Sequence, residues 1–369
     1  MLSSKAPRSA AIRTLAAGAV LTLATLSLSA CGGSSTATST GSAEKIGVSL
    51  IVKTTSNPFF VSMQDGAKEA AAAEGVDLKL AAGKADGDEE TQIQAIENAI
   101  SKGDKGILIT PNGPSVVDAL KKAKDAGLFV IALDTPPDPA DAADITFATD
   151  NFAAGELIGK WTAVQLGGKK ATIALLDLFD DKVVSVDYNR DQGFLTGLGV
   201  DTADAKKNGD EAKTGKYTGG KGGEYEIVGN QASQGAEDGG RTAMETLLAK
   251  NPNVNVVYTI NEPAAAGAFE ALKSAGKEKD VLVVSVDGGC AGVDNVKSGV
   301  IGATAQQYPV KMAELGVKAI VEIAKTGKKP ANSEGLDFYN TGVELVTDKP
   351  ADGVKSITTA AAADICWGK

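Results

Sequence analysis

Short apolar runs alternate with alanine-rich segments of helical length along most of the chain. Gly106–Pro111 and Leu128–Leu133 are apolar runs bounded by polar residues, which is typical of buried strands. Between such runs, Glu90–Ser101 places its isoleucines at helical spacing. Strands separated by helices of this length form parallel sheets, and there are too many units for one compact sheet. The pattern therefore predicts an α/β fold of two doubly wound parallel-sheet lobes.

The alternation of strands and helices is interrupted once. From about Asp204 to Gly223, lysine and glycine dominate and no apolar period is present. We expect this segment to be a surface excursion. The alternation of strands and helices resumes after this segment, and the last strand is expected at Thr341–Val346.

Several predicted strands end in polar residues. The carboxyl ends of parallel strands meet at one edge of a sheet, and open α/β sheets bind their ligands there. The strand-end residues of this kind are Asn57, Asp134, Asn261, Asp287 and Gln307. Two lobes facing each other along these edges would line a cleft with hydrogen-bonding groups.

These side chains suit a polyhydroxylated ligand. A sugar site needs bidentate hydrogen-bonding groups and flat rings to cover C–H faces. Asp134 and Asp287 can each accept from two hydroxyl groups, although both also precede residues that favour turns. Further candidates are Lys53, Phe59 and Phe60 in the first strand–helix loop, and Arg190. One of the two phenylalanines is expected to pack in the core.

The first residues are predicted to direct the chain out of the cytoplasm. A basic start is followed by the apolar run Leu15–Leu28 and by a Leu-Ser-Ala-Cys ending at Cys31, which resembles a bacterial lipobox. We expect residues 1–30 to be a lipoprotein signal peptide, Cys31 to carry lipid, and residues 31–44 to be a flexible tether. The mature protein would then be anchored on the outer face of the cell membrane. An ordinary signal peptide with an accidental cysteine is the alternative.

Composition excludes several classes of function. The net charge of −10 argues against nucleic acid, which requires a basic face. The chain has no histidine, which removes the commonest general base and zinc ligand, and no metal site or cofactor is expected. With Cys31 modified, Cys290 and Cys366 remain in an oxidising compartment. They are expected to form a disulfide, with two free thiols as the alternative.

Hydrolysis is the second interpretation of the same residues. Asp134 and Asp287 facing each other across a cleft would resemble a glycosidase carboxylate pair, in which one pKa must be raised by burial. Lys53 and Arg190 nearby are expected to keep both carboxylates ionised, which favours binding over catalysis.

Together, several motifs resemble one family. The stretches SNPFF, ILITPN, VIALDTP, NRDQGF, INEPAAAGAFEAL, SVDGG and ATAQQYP occur in the order seen in the type I periplasmic binding proteins of the ribose and galactose cluster. The resemblance covers the chain from Ile46 to its end. Among these proteins, the chain most resembles the fructose-binding lipoproteins of bacterial ABC importers, including its closing Cys366-Trp367-Gly368.

The resemblance implies a fold, a function and a site. It implies a monomer with an N-terminal lobe (45–149 and 308–342), a C-terminal lobe (150–307 and 343–369), and a hinge of three crossings. It implies a non-enzymatic receptor that delivers a monosaccharide to the transmembrane subunits of an ABC permease. The ligand-binding residues it implies are Asn57, Phe59, Phe60, Asp134, Arg190, Asn261, Asp287 and Gln307.

Three positions depart from the ribose-binding pattern. Ribose binders carry a serine where this chain has Lys53 and an arginine where it has Thr135. They also carry an aromatic residue where this chain has Gln231–Gly235. We therefore expect a hexose, fructose first, with ribose, mannose or allose as alternatives.

Overall fold

Two sheets, each flanked by helices on both faces, organise the chain. The computed structural model describes residues 45–369. Its strands are β1 (Gly47–Val52), β2 (Asp77–Ala82), β3 (Gly106–Ile109), β4 (Phe129–Leu133), β5 (Ile145–Ala148), β6 (Ala171–Asp177), β7 (Thr214–Tyr217), β8 (Gly223–Ala232), β9 (Val256–Thr259), β10 (Leu282–Asp287), β11 (Ala303–Gln306), β12 (Tyr339–Asn340) and β13 (Glu344–Val346). Its α-helices are α1 (Pro58–Glu74), α2 (Glu89–Lys102), α3 (Val117–Asp125), α4 (Asn151–Leu166), α5 (Ser185–Leu198), α6 (Glu237–Lys250), α7 (Glu262–Ser274), α8 (Cys290–Ser298), α9 (Pro309–Thr326) and α10 (Thr359–Ala362).

The strand order confirms the two-lobed α/β fold. The first sheet has the order β12-β5-β4-β3-β1-β2, and all its pairings are parallel. The second has the order β13-β11-β10-β9-β6-β8-β7. Its inner pairings are parallel, as expected, whereas its two edge strands, β13 and β7, are antiparallel to their neighbours. The turn between β7 and β8 is too short for the crossover that a parallel pair needs.

The chain passes between the two sheets three times. The crossings follow β5, follow β11, and join β12 to β13. The strand expected at Thr341–Val346 is therefore confirmed only over Glu344–Val346, and residues 341–343 link the two sheets. The first and third crossings lie side by side, since the Thr149 hydroxyl donates to the Gly342 carbonyl over 3.3 Å. Lys311, on the helix after the second crossing, donates to the Thr341 carbonyl over 2.8 Å.

The lysine- and glycine-rich segment is more ordered than its composition suggests. It contains β7, which pairs with β8 and extends the second sheet. Tyr217 in β7 is buried, and its hydroxyl donates to the Lys169 carbonyl over 2.7 Å. The other three residues of β7 are exposed, so the segment lies on the surface as expected but includes an edge strand. One aromatic anchor and sheet pairing offset the poor strand propensity of the neighbouring residues.

Each sheet separates two apolar cores. In β1, Leu50 packs with α1 and α9, whereas its neighbour Ile51 packs on the other face with residues of α2 and α3. Adjacent strand side chains point to opposite faces, so a continuous apolar run fills both cores. This is why the strands read as unbroken hydrophobic runs in the sequence.

Glycines allow α4 and α5 to pack backbone against backbone. A Cβ atom at Gly159 would collide with the Phe194 carbonyl oxygen, and one at Gly155 would collide with that of Arg190. On the facing helix, Gly193 likewise leaves no room for a side chain. This close contact sets the position of α5, the helix that carries Arg190.

We predict that Gly159→Ala destabilises the protein by about 3 kcal/mol, because the added methyl group overpacks a backbone contact. Urea unfolding followed by circular dichroism measures the loss. Gly103→Ala is the matched control, since nothing lies within 4 Å of its added Cβ and only its φ of +72° opposes alanine. That control is expected to cost about 1 kcal/mol. Equal losses in the two variants would contradict the packing argument.

The described helices of residues 45–369 include none with the length and apolar character needed to cross a membrane.

Candidate functional site

The loop between β1 and α1 forms one wall of the site. Asn57 caps α1, with its Oδ1 accepting from the Phe59 N–H over 2.9 Å, and Pro58 occupies the first helical position. Phe59 and Phe60 follow, with their rings edge to face at 5.3 Å. One of the two was expected in the core; both rings belong to the core of the first lobe, and both line the cavity described next.

One cavity brings the predicted ligand-binding residues together. It lies between the lobes, and Leu178, Val186 and Ile260 add apolar surface to it. The predicted residues that line it are Lys53, Asn57, Phe59, Phe60, Asp134, Arg190, Asn261, Asp287 and Gln307. Its volume is about 30 Å³, room for little more than water, so the lobes are closed around it. A larger cleft of about 970 Å³ adjoins it and shares Asn57 and Asp287 with it.

Arg190 is the central donor of the cavity. Its Nε donates to Asn151 Oδ1 over 2.7 Å, and its Nη1 donates to the Ile260 carbonyl over 3.0 Å. Its Nη2 lies 3.1 Å from Gln307 Oε1 and 3.5 Å from Asp134 Oδ1. The guanidinium group is buried and held in place by groups from both lobes and the hinge.

Lys53 is buried at the end of β1, although strand-end lysines are usually solvated. Its Nζ lies 4.0 Å from Asp134 Oδ2 and 6.0 Å from the centre of the Phe60 ring. Asp134 Oδ2 also accepts from the Thr135 hydroxyl over 2.7 Å. Asp134 therefore lies between two cations, Lys53 and Arg190.

The second lobe contributes an amide and a carboxylate. Asn261 caps α7 and donates from Nδ2 to the Gly235 carbonyl over 3.0 Å. Asp287 ends β10 and accepts from Gln307 Nε2 over 3.0 Å and from the Glu262 N–H over 3.2 Å. Gln307 thus joins Arg190 to Asp287.

Both strand-end aspartates have strained backbones. Asp134 has a φ of +62° and Asp287 a φ of +148°, values that residues with a Cβ rarely adopt. Such conformations cost about 1–3 kcal/mol each and persist where the surroundings impose them, commonly at functional sites.

Burial determines the ionisation of the second-lobe carboxylates. Loss of solvent raises the pKa of Asp287 to about 7, although Arg190 counteracts the rise. Burial, reinforced by Asp287, raises the pKa of Glu262 to about 8. The expectation that nearby cations keep Asp287 fully ionised is therefore wrong, because desolvation exceeds the attraction of Arg190.

Sequence reasoning missed Asp86 and Asn151. Asp86 lines both the cavity and the cleft, and burial raises its pKa to about 6. Its position shortly after β2, at the same sheet edge as Asn57, was an available signal. Asn151 is the first residue of α4 and orients Arg190, a role that no local pattern indicates.

The C-terminal residues reach the site. Trp367 packs edge to face on Phe59 at 5.4 Å and donates from Nε1 to the Gln307 carbonyl over 3.0 Å. A disulfide joins Cys366 to Cys290, with Cα atoms 4.9 Å apart, and the Cys290 N–H donates to the Trp367 carbonyl. This end of the chain therefore touches both lobes beside the cavity.

Comparison with known proteins identifies the family. The sequence profile of the periplasmic binding protein domain matches residues 46–329. The chain belongs to this family. This confirms the resemblance to the ribose and galactose cluster.

The chain is 26% identical over 305 residues to the D-allose-binding periplasmic protein of Escherichia coli, covering 81% of this chain and 91% of that protein. It is 28% identical over 319 residues to the ribose import binding protein of Bacillus subtilis, covering 85% and 94%. A solved solute-binding protein of Agrobacterium vitis with bound D-fucose is 27% identical, with a TM-score of 0.69 and coverage of 83% and 97%. These relatives are transport binding proteins, so this periplasmic binding protein is not an enzyme and the hydrolase interpretation is wrong.

Proposed function

We propose that this protein is the monosaccharide receptor of an ABC importer and that it binds its sugar in the interlobe cavity. The observation that carries the proposal is the convergence of the nine predicted residues on that cavity. The cavity is lined by carboxylates, amides and a guanidinium group, which can bind sugar hydroxyls, and by two phenyl rings, which can cover the C–H faces of a sugar.

The related proteins support a monosaccharide as the ligand. The names of the relatives described above specify allose, ribose and fucose. Family membership also implies an extracytoplasmic location and a permease as partner. The finer proposal, a lipid anchor on Cys31 after removal of residues 1–30, concerns residues outside the described range.

Fructose is the proposed sugar. Lys53, where ribose binders carry serine, is buried 4.0 Å from Asp134 and can donate to a hydroxyl while balancing that carboxylate. An anionic sugar phosphate is disfavoured, because Asp86, Asp134 and Asp287 all line the cavity. Ribose, mannose and allose remain the competing ligands.

Opening of the lobes is part of the proposal. A cavity of about 30 Å³ does not admit a hexose, so the sugar enters from the adjoining cleft when the lobes separate. We assign residues 45–149 and 308–342 to one lobe and 150–307 and 343–369 to the other. The three crossings would then act as the hinge.

A thermal-shift panel tests the function. The purified protein is heated alone and with fructose, ribose, mannose, allose and galactose. A ligand at 100 times its Kd adds about 2.7 kcal/mol to the free energy of unfolding. Fructose is expected to give the largest increase in melting temperature. If ribose or allose gives the largest increase, the receptor function stands and the fructose assignment is wrong.

We predict that sugar affinity falls as the pH drops below 7. Sugar hydroxyls donate to the carboxylate form of Asp287, whereas in the empty cavity its pKa is about 7, so binding at lower pH must release a proton. The charged groups facing Asp287 are Arg190, which lowers its pKa, and Asp134, which raises it. Glu262 also faces Asp287, whose charge raises the pKa of Glu262.

Calorimetry is expected to show a Kd about tenfold higher at pH 5.5 than at pH 7.5. In Asp287→Asn, affinity is weaker at both pH values and the ratio between them shrinks. An equal or lower Kd at pH 5.5 in the unmodified protein would contradict the prediction.

A further inference from the structure

A group of buried oxygen atoms lies behind the sugar cavity, in the second lobe. Asp177 ends β6, while Asp191 and Gln192 follow Arg190 on α5. The loop 208–211 and Asn230 of β8 complete the group. Asp177, Asp191 and Gln192 are at most 3% exposed.

These residues lie close to one another. Asn230 Nδ2 donates to Asp177 Oδ2 over 2.9 Å, and Gln192 Nε2 donates to Asp191 Oδ2 over 3.0 Å. Asn208 and Asp191 lie within hydrogen-bonding reach of Asp177. The amide nitrogens of Asn230 and Gln192 donate in these contacts, whereas their amide oxygens accept no hydrogen bond from the described part of the chain.

Seven buried oxygens of this group have no hydrogen-bond donor within residues 45–369. They are Asp177 Oδ1, Asp191 Oδ1, Gln192 Oε1, Asn208 Oδ1, Asp210 Oδ1, Glu211 Oε2 and Asn230 Oδ1. Buried acceptors without a donor each cost about 1–3 kcal/mol, and native proteins contain few of them. The closeness of Asp177 to Asp191, Asn208 and Asn230 favours a common partner for these oxygens.

Charge points to a cation as that partner. Four of the seven oxygens belong to carboxylates. The Lys213 ammonium group, which is half exposed, lies 3.4 Å from the other carboxylate oxygen of Glu211, Oε1. One exposed lysine does not balance this group.

We propose that Asp177 and Asp191, the amides of Gln192 and Asn230, and the loop 208–211 form a calcium site. Calcium takes six to eight oxygen ligands from carboxylates and amides in flexible geometry. Magnesium prefers an octahedron and retains several waters, and zinc prefers nitrogen and sulfur.

Carboxylates alone do not form the proposed site. Among the described residues, no group of three or more His, Cys, Asp or Glu side chains could by itself hold a metal. The amide oxygens of Gln192, Asn208 and Asn230 supply what the carboxylates lack. The proposal therefore revises the expectation, drawn from the sequence, that the protein has no metal site.

The backbone of the loop 208–211 and a surface cavity beside it are both consistent with a bound cation. Gly209 has a φ of +80°, and a Cβ there would lie only 3.1 Å from Asn230 Oδ1, so glycine lets the loop approach the strand. A surface cavity of about 450 Å³, lined by Asp177, Asn208 and Asn230, gives a cation access. Calcium would tie the loop before β7 to β6, β8 and α5.

The test compares calcium-depleted and calcium-loaded protein. The purified protein is dialysed against EGTA and titrated with CaCl2 by calorimetry, and melting temperatures are measured with EGTA, CaCl2 or MgCl2. We expect one Ca²⁺ per chain and a rise of at least about 5 °C with calcium, with a smaller effect of magnesium. No stoichiometric uptake and no calcium-dependent rise would overturn the proposal and would indicate a shared proton within the cluster.

Two isosteric variants separate calcium binding from folding. Asp191→Asn and Asp177→Asn are expected to weaken calcium binding at least 100-fold. In EGTA, the melting temperature of each variant should be no lower than that of the wild type, because each substitution removes a buried negative charge that has no cation beside it when calcium is absent. Asp201→Asn, an exposed position just beyond α5, is the control and should respond to calcium like the wild type.

Full calcium uptake by both cluster variants would overturn the proposal. Because the readout is calcium alone, failure of the sugar proposal would leave this result unaffected.

Discussion

Replacing Arg190 with alanine is expected to weaken monosaccharide binding at least 100-fold. The guanidinium group is buried and contacts Asn151, Asp134, Gln307 and the Ile260 carbonyl, so it both holds the cavity together and offers donors to the sugar. Hydrogen bonds that involve a charged group contribute about 1.5–3 kcal/mol each, and two lost bonds account for the expected change. Calorimetric titration with the preferred sugar measures it.

Two further variants show whether the loss is local. Arg241→Ala removes an exposed arginine that pairs with Glu245 on α6, and it is expected to leave the Kd unchanged. Arg190→Lys keeps the charge but loses the planar fork of donors, and it should bind only slightly better than Arg190→Ala. An unchanged Kd in a folded Arg190→Ala protein would remove this residue from the site.

Removal of the disulfide is expected to lower the free energy of unfolding by about 4 kcal/mol. Cys290 and Cys366 are separated by 76 positions, and a crosslink that closes so long a loop restricts the unfolded chain strongly. The bond also holds the segment that places Trp367 against Phe59 and the Gln307 carbonyl. Urea unfolding of the Cys290→Ala/Cys366→Ala double variant measures the loss.

The wild-type protein in reductant is the natural comparison for that variant. Both should unfold at the same lower urea concentration, because both lack the same crosslink. A double variant that unfolds at the same urea concentration as the oxidised wild type would show that the bond adds nothing to stability. In that case, packing of Trp367 alone would hold the C-terminus.

The sequence predicts the sheet edges well, because apolar runs mark the strands and polar residues mark where they end. Asp134, Asp287 and Gln307 were placed at a common rim by this reasoning, and they line one cavity. This prediction needs only local sequence, because all strands of a parallel sheet have their carboxyl ends at the same edge. The ligand roles of these residues remain a proposal.

Other features depend on contacts that no local pattern reveals. The position of Asp86 shortly after β2 indicates the sheet edge, but its burial depends on the second lobe, which closes over it. β7 lacks an apolar period and is held by Tyr217 and its pairing with β8. The pKa of Asp287 depends on how completely closure removes solvent, which cannot be read from neighbouring residues.

The buried oxygens behind Arg190 show the same limit. Asp177 and Asn230 are more than fifty positions apart, and only the parallel pairing of β6 with β8 brings them together. The loop 208–211 belongs to a segment whose composition suggests a surface excursion. Its acidic and amide residues become informative only when the fold places them beside α5.

The most direct test of the account is a calorimetric titration of the purified protein with D-fructose and, in parallel, with the other monosaccharides of the panel. We predict one sugar per chain with a Kd on the order of micromolar, which corresponds to about −8 kcal/mol. Fructose is expected to bind most tightly. Absence of binding tighter than about 1 mM to any of these monosaccharides would contradict the proposed function.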